Sequence, residues 1–134
     1  MQGKVQNMGD LAALMEQARN CHDTCITEMQ YISGAYVNEK GMYPVNDRNE
    51  MRVVLMGLNR IELTFRGLRH CRWNPVDPDH TCEIHGASLW MGQDGIFWCN
   101  DDWVGPENWK DWDGILICAK ELEWRITPPE WEKI

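Results

Sequence analysis

The sequence predicts an α+β fold: two N-terminal helices packed on a small antiparallel sheet of three or more strands, with a short helix in an acidic loop. Three observations carry that expectation. Apolar side chains recur every three or four residues through the first 72 positions, the period drops to two beyond position 82, and the prolines of WNPVDPDHT (73–81) separate the two regimes. At 134 residues the chain fits one domain, of a size that buries roughly 65–70% of the surface its unfolded form exposes. Its expected parts are a helical hairpin over 1–72, a Trp-rich sheet over 82–127 and a tail over 128–134.

The first helix is read from Met8, Leu11, Met15, Ala18, His22, Cys25, Met29, Ile32 and Tyr36, whose spacing of threes and fours makes one apolar seam. Asn7 or Asp10 caps its start, and Gly34 weakens its end. NEKGMYPVND (38–47) has the Gly, Pro and Asn of a turn, with Asn46 or Asp47 as cap of a second helix. That helix is expected from Met51, Val54, Leu55, Leu58, Ile61, Phe65 and Leu68, with Arg48, Arg52, Arg60, Arg66 and Arg69 largely off the stripe. A short connection favours antiparallel helices, and the Met-rich seam of the first leaves room for a homodimer.

Further along, 87–91 and 96–99 are short apolar runs around Gly92-Gln93-Asp94-Gly95, which predicts a β-hairpin. Pro106 to Trp112 reads as one or two helical turns before Gly114. Leu116, Cys118, Leu122, Trp124 and Ile126 then share one alternating face and predict a strand, ended by Pro128-Pro129.

Charge is divided along the chain. Residues 1–76 carry 9 Lys and Arg against 8 Asp and Glu, a net of +1, whereas 77–134 carry 4 against 13, a net of −9. Strong acidity repels the phosphate backbone, so direct nucleic-acid binding is not expected, the Arg-rich segment 48–72 being the one place for a local basic face; the same field attracts a basic protein. No apolar run approaches the roughly 18 residues of a membrane span, and no signal segment is visible at MQGKVQNMGDL. The expectation is a cytoplasmic protein with no membrane partner, in the host cytoplasm if phage-encoded. Six cysteines without an export signal favour thiols or metal ligands over a disulfide framework.

Two cysteine clusters bear on metals. His70, Cys71, His80, Cys82 and His85 are ligand-type residues within sixteen positions, and zinc takes four such ligands tetrahedrally. The segment lacks paired C-x-x-C knuckles, so zinc is a candidate beside the reading of ordinary loop and core residues, a Cys71–Cys82 disulfide being a third. Cys21 and Cys25 stand one helical turn apart in CHDTC, where a core role outweighs half a metal site. No other cofactor is expected. Phosphate loops, nucleophile elbows and H-E-x-x-H helices are absent from the sequence. Asp77, Asp79, His80 and His85 are the remaining route to an enzyme, a metal-dependent hydrolase, against which stands the ordinary turn chemistry of Asp between prolines.

Seven of eight tryptophans fall in 90–131. Trp90, Trp98 and Trp124 are expected to point inward onto the helix layer. DDWVGPENWKDWDG supplies Asp101, Asp102, Trp103, Glu107, Trp109, Asp111, Trp112 and Asp113 as a partner-binding patch, with the acids steering and the tryptophans anchoring a basic surface of a larger protein. An aromatic cage for a cationic ligand is the alternative use of the same rings. The composition is similar to that of small acidic inhibitors from phages and mobile elements, the anti-CRISPR proteins and nucleic-acid mimics among them, an analogy of class that rests on no shared motif.

Overall fold

One seven-stranded antiparallel sheet runs through almost the whole chain in the computed structural model, which describes residues 1–129 and 131. In chain order the elements are β1 (Gln2–Lys4), α1 (Met8–Gln17), β2 (Cys25–Ile32), β3 (Tyr36–Asn38), β4 (Gly41–Tyr43), β5 (Glu50–Met56), β6 (Arg60–Arg72), β7 (Ser88–Gly92), β8 (Gly95–Cys99) and β9 (Leu116–Thr127). The sheet order is β2-β5-β6-β9-β8-β7, with β1 alongside β9 at 123–125, beyond the 116–119 stretch that pairs with β8. Strands β3 and β4 form a separate small hairpin. No helix among the described residues is long and apolar enough to cross a membrane.

The expected pair of helices on a small sheet is therefore replaced by one helix on a large one. Only the first ten residues of the long seam are helical. Asn7 caps them by accepting from the Asp10 amide at 2.8 Å, and the Asp10 carboxylate reaches back to the Gln6 amide at 3.0 Å. The helix stops because Arg19, Asn20, Cys21 and Asp23 all take positive φ, a backbone state that costs non-glycine residues about 1–2 kcal/mol each. Long-range bonds hold this turn: Ala87 N donates to Asn20 O and Asp23 N to Ile84 O, both at 2.7 Å, and the buried Thr24 hydroxyl donates to Cys21 O at 2.6 Å. Cys25, Met29 and Ile32 then belong to a strand.

The second expected helix is the β5–β6 hairpin, in register from Glu50–Arg66 to Met56–Arg60 about a turn at 57–59. Met51, Val53 and Leu55 on one strand and Ile61, Leu63 and Phe65 on the other are buried at period two. The four-residue apolar run at 53–56 satisfies helical spacing as well, and β-branched Val53, Val54, Ile61 and Thr64 decide for the pleat. The hairpin around Gly92–Gly95 is present as β7–β8, and 116–127 is the strand expected there. In the acidic loop the helical element is a single 3-10 turn, Trp109–Asp111. Of the tail, only 128, 129 and 131 lie within the described residues.

The two faces of the sheet are different. On the inner face, Val53, Leu55, Leu63, Phe65, Trp98, Ile117 and Leu122 form a core closed by Leu11, Leu14 and Ala18 of α1. On the outer face, one end holds a second, smaller core of Phe97, Cys99, Val104, Leu116 and Cys118, against which Trp90, Trp109 and Trp112 pack. Its other end is uncovered and charged. There Arg66 bridges Glu123 at 2.9 Å and Glu50 at 3.9 Å, Lys4 bridges Glu123 at 3.2 Å, and Arg60 bridges Glu62 at 2.9 Å. Strand β6 changes character at Gly67, whose φ of +71° and near contact with Lys120 Cβ accompany a register shift at Leu68–His70. Beyond it, His70 and Arg72 face the second core.

Candidate functional site

Residues 100–115 form a closed loop over the covered end of the outer face. Its neck is shut by Asn100, whose amide donates to Ile115 O at 3.3 Å and whose side-chain oxygen accepts from Ile115 N at 3.2 Å. Buried Val104 pins the middle. Asn108 ties both limbs, accepting from Gly105 N at 2.8 Å and donating to Trp103 O at 3.2 Å.

The three tryptophans of the loop do different things. Trp109 is half-buried, 5.0 Å from Phe97 and 5.1 Å from His70 between ring centroids. Phe97 is itself stacked on Trp90 at 5.0 Å with planes 5° apart. Trp112 is half-buried and lies across Gly114, where any Cβ would overlap its ring. Trp103 alone of the three is open to solvent, 61% exposed. Trp109 and Trp112 thus support the loop, and Trp103 projects from it.

Arg72, which sequence reasoning did not single out, holds the loop down. Its guanidinium donates to Trp109 O at 2.6 Å and to Trp112 O, and its Cζ stands 5.7 Å over the Trp109 ring. Neighbouring Asn74 donates to Asp113 O, tying the 73–87 segment to the same loop. Lys110, the loop's one cation, rests 5.7 Å from the Trp109 ring. No local pattern advertises these roles, since the carbonyls Arg72 reaches are 37 and 40 residues away.

The carboxylates are left to solvent. Asp102, Glu107, Asp111 and Asp113 are exposed and Asp101 half-exposed, and among the described residues none of the five makes an ion pair. Asp102 does lie against Gly86, its Oδ2 3.0 Å from where a Cβ would stand. With five acids and one lysine, the loop carries a net charge of −4.

The ligand-type residues of 70–85 are dispersed. His70 Nε2 meets Asp94 Oδ2 at 3.0 Å on the outer face, beneath Trp109. Cys71, next along β6, pairs with Ile117, and alternation turns it from the His70 face. His80 and His85 are exposed in the following segment, and Cys82 sits beside Cys25. No group of three or more His, Cys, Asp or Glu side chains poised to hold a metal occurs among the described residues. Cys21 and Cys25 are not on one helix face: Cys21 lies in the left-handed turn and Cys25 opens β2.

Of the strand tryptophans, Trp98 and Trp124 belong to the inner core, whereas Trp90 packs on the outer face. Trp98 is 1% exposed, and its Nε1 faces the Cys21 sulfur without a hydrogen bond of ordinary geometry. Burial pushes the Cys21 and Cys118 thiols up to about 11, which keeps both protonated and poor nucleophiles near neutrality. Within the outer-face cluster the rings pack on one another, and Arg72 and Lys110 both stand over Trp109.

No protein-family model, curated protein or solved structure matches the chain. The functional reading therefore rests on the geometry of its own residues.

Proposed function

We propose that this protein is a non-enzymatic binder of a larger protein, docking on a cationic surface through the loop 100–115. Trp103 is the anchor, and Asp101, Asp102, Glu107, Asp111 and Asp113 steer and orient the partner. The observation that carries the reading is a tryptophan 61% exposed, on a loop tied down from below, beside carboxylates that make no ion pair among the described residues. Trp109 and Trp112 act indirectly, by fixing the platform from which Trp103 projects. The nucleic-acid-binding groove of a larger protein is one cationic surface of suitable charge, and a domain seated on it would act as an inhibitor by occlusion.

Photo-crosslinking tests this. Benzoylphenylalanine replaces Trp103 in one sample and Leu58, exposed in the β5–β6 turn, in a control. In extract of the source cells, the residue-103 probe should trap a basic protein, less as salt rises, and lose it when the five acids become Asn or Gln. Equal labelling from positions 103 and 58, or an adduct indifferent to the acids, overturns the reading.

A further inference from the structure

Cys25 and Cys82 lie far apart in sequence and together in space. Ile84 N donates to Thr24 O and Asp23 N to Ile84 O, both at 2.7 Å, which clamps the start of β2 against the end of the 73–87 segment. The two thiols flank this bridge, Cys25 one residue beyond Thr24 and Cys82 two before Ile84, near enough for Cys82 to raise the Cys25 thiol. All six cysteines are free; Cys82 is exposed and Cys25 half-buried, whereas Cys21, Cys99 and Cys118 are buried. Cys82 also lines a cavity of about 340 Å³ between β2 and the segment, with Ile26, Met29, Trp73, Val76 and Ile84.

We infer that Cys25 and Cys82 are a reversible dithiol–disulfide pair that takes a low-molecular-weight disulfide, such as oxidised glutathione, as its oxidant. Cys82, the accessible sulfur, loses its proton and attacks the oxidant, expelling one glutathione thiolate and forming a mixed disulfide. The Cys25 thiolate then attacks Cys82 Sγ and expels the remaining glutathione. Two protein thiols become one disulfide while one oxidised glutathione becomes two reduced ones. In the reduced protein, burial first, then Cys82 and Glu83, hold the Cys25 thiol above its ordinary pKa; the closing step uses the Cys25 thiolate and accelerates as pH rises. The disulfide anchors the 73–87 segment to β2 at a point where two backbone hydrogen bonds already hold it. This inference stands whether or not the acidic loop binds a partner.

The folded wild-type chain is equilibrated in mixtures of reduced and oxidised glutathione, quenched with acid, alkylated after unfolding and mapped by mass spectrometry. The expected result is a Cys25–Cys82 linked peptide that grows with the oxidised fraction. Two of the six thiols are lost to alkylation, excess reduced glutathione restores them, and cleavage within 74–81 by added protease slows. In Cys25→Ser, Cys82 should stop at the mixed disulfide. A Cys71–Cys82 link instead, or wild-type Cys82 glutathionylated with Cys25 still free in the most oxidising mixture, overturns the inference.

Discussion

The two ends of the outer sheet face share strands β6 and β9 and share little else. At one end Leu116 and Cys118 of β9 and His70 and Arg72 of β6 lie under aromatic rings; at the other, Glu123 of the same β9 and Arg66 of the same β6 stand in an open ion-pair ladder. The change occurs where Gly67 meets Lys120 and β6 shifts register. The comparison separates two ways of finishing a sheet surface. A loop that brings its own aromatics creates a second core, and a bare face is made tolerable by alternating charge. In the first solution Asp102 packs against Gly86, while Glu107, Asp111 and Asp113 are exposed beside the second core.

The comparison breaks most severely if the inner core beneath both ends is opened. Trp98→Ala removes the largest fully buried side chain and should cost about 3–5 kcal/mol, read from the denaturant midpoint, with both ends lost together. Arg72→Ala is more selective. Two hydrogen bonds to loop carbonyls and the contact with the Trp109 ring disappear, for about 1.5–3 kcal/mol. Amide exchange should quicken in 100–115 and stay unchanged in β5; equal quickening throughout would mean that the loop is not a separate unit. Gly114→Ala places a methyl where Trp112 lies, and overpacking there should cost about 1–3 kcal/mol.

The bare end should respond least. A double-mutant cycle of Arg66→Gln and Glu123→Gln should return roughly 0.2–1 kcal/mol, less in salt. Its pH dependence has a defined sign. The Arg66 hydrogen bond first, then Lys4, hold the Glu123 pKa below its ordinary value of 4.5. Its contribution is present above that value and is lost as pH falls through the lowered one. Wild type and Glu123→Gln should therefore converge in stability in acid, as urea titrations at several pH values would measure.

How much of this was legible in the sequence depends on the range of the interactions that decide each element. The β7–β8 hairpin is set by its own Gly92–Gly95 turn, and the Asn7 cap by residues three apart, so both can be read locally. The β5–β6 hairpin is written in Met, Leu and Arg, which favour helices, and its apolar residues fit both periods. Its β-branched residues favour the pleat, and pairing of β6 with β9, across 44 residues at Arg72–Leu116 to 67 at Arg60–Thr127, reinforces it. The site was half legible: acids and tryptophans mark the loop, but the separation of Trp103 from Trp109 and Trp112 is made by Phe97, His70 and Arg72, which are distant in sequence.

Denaturant unfolding of two variants distinguishes the exposed ring of the loop from the packed ones. Trp103→Ala should stay within about 0.5 kcal/mol of wild type, whereas Trp109→Ala should lose about 2 kcal/mol or more through the second core. Equal destabilisation by both would make Trp103 part of the structure and would contradict its assignment as the exposed anchor.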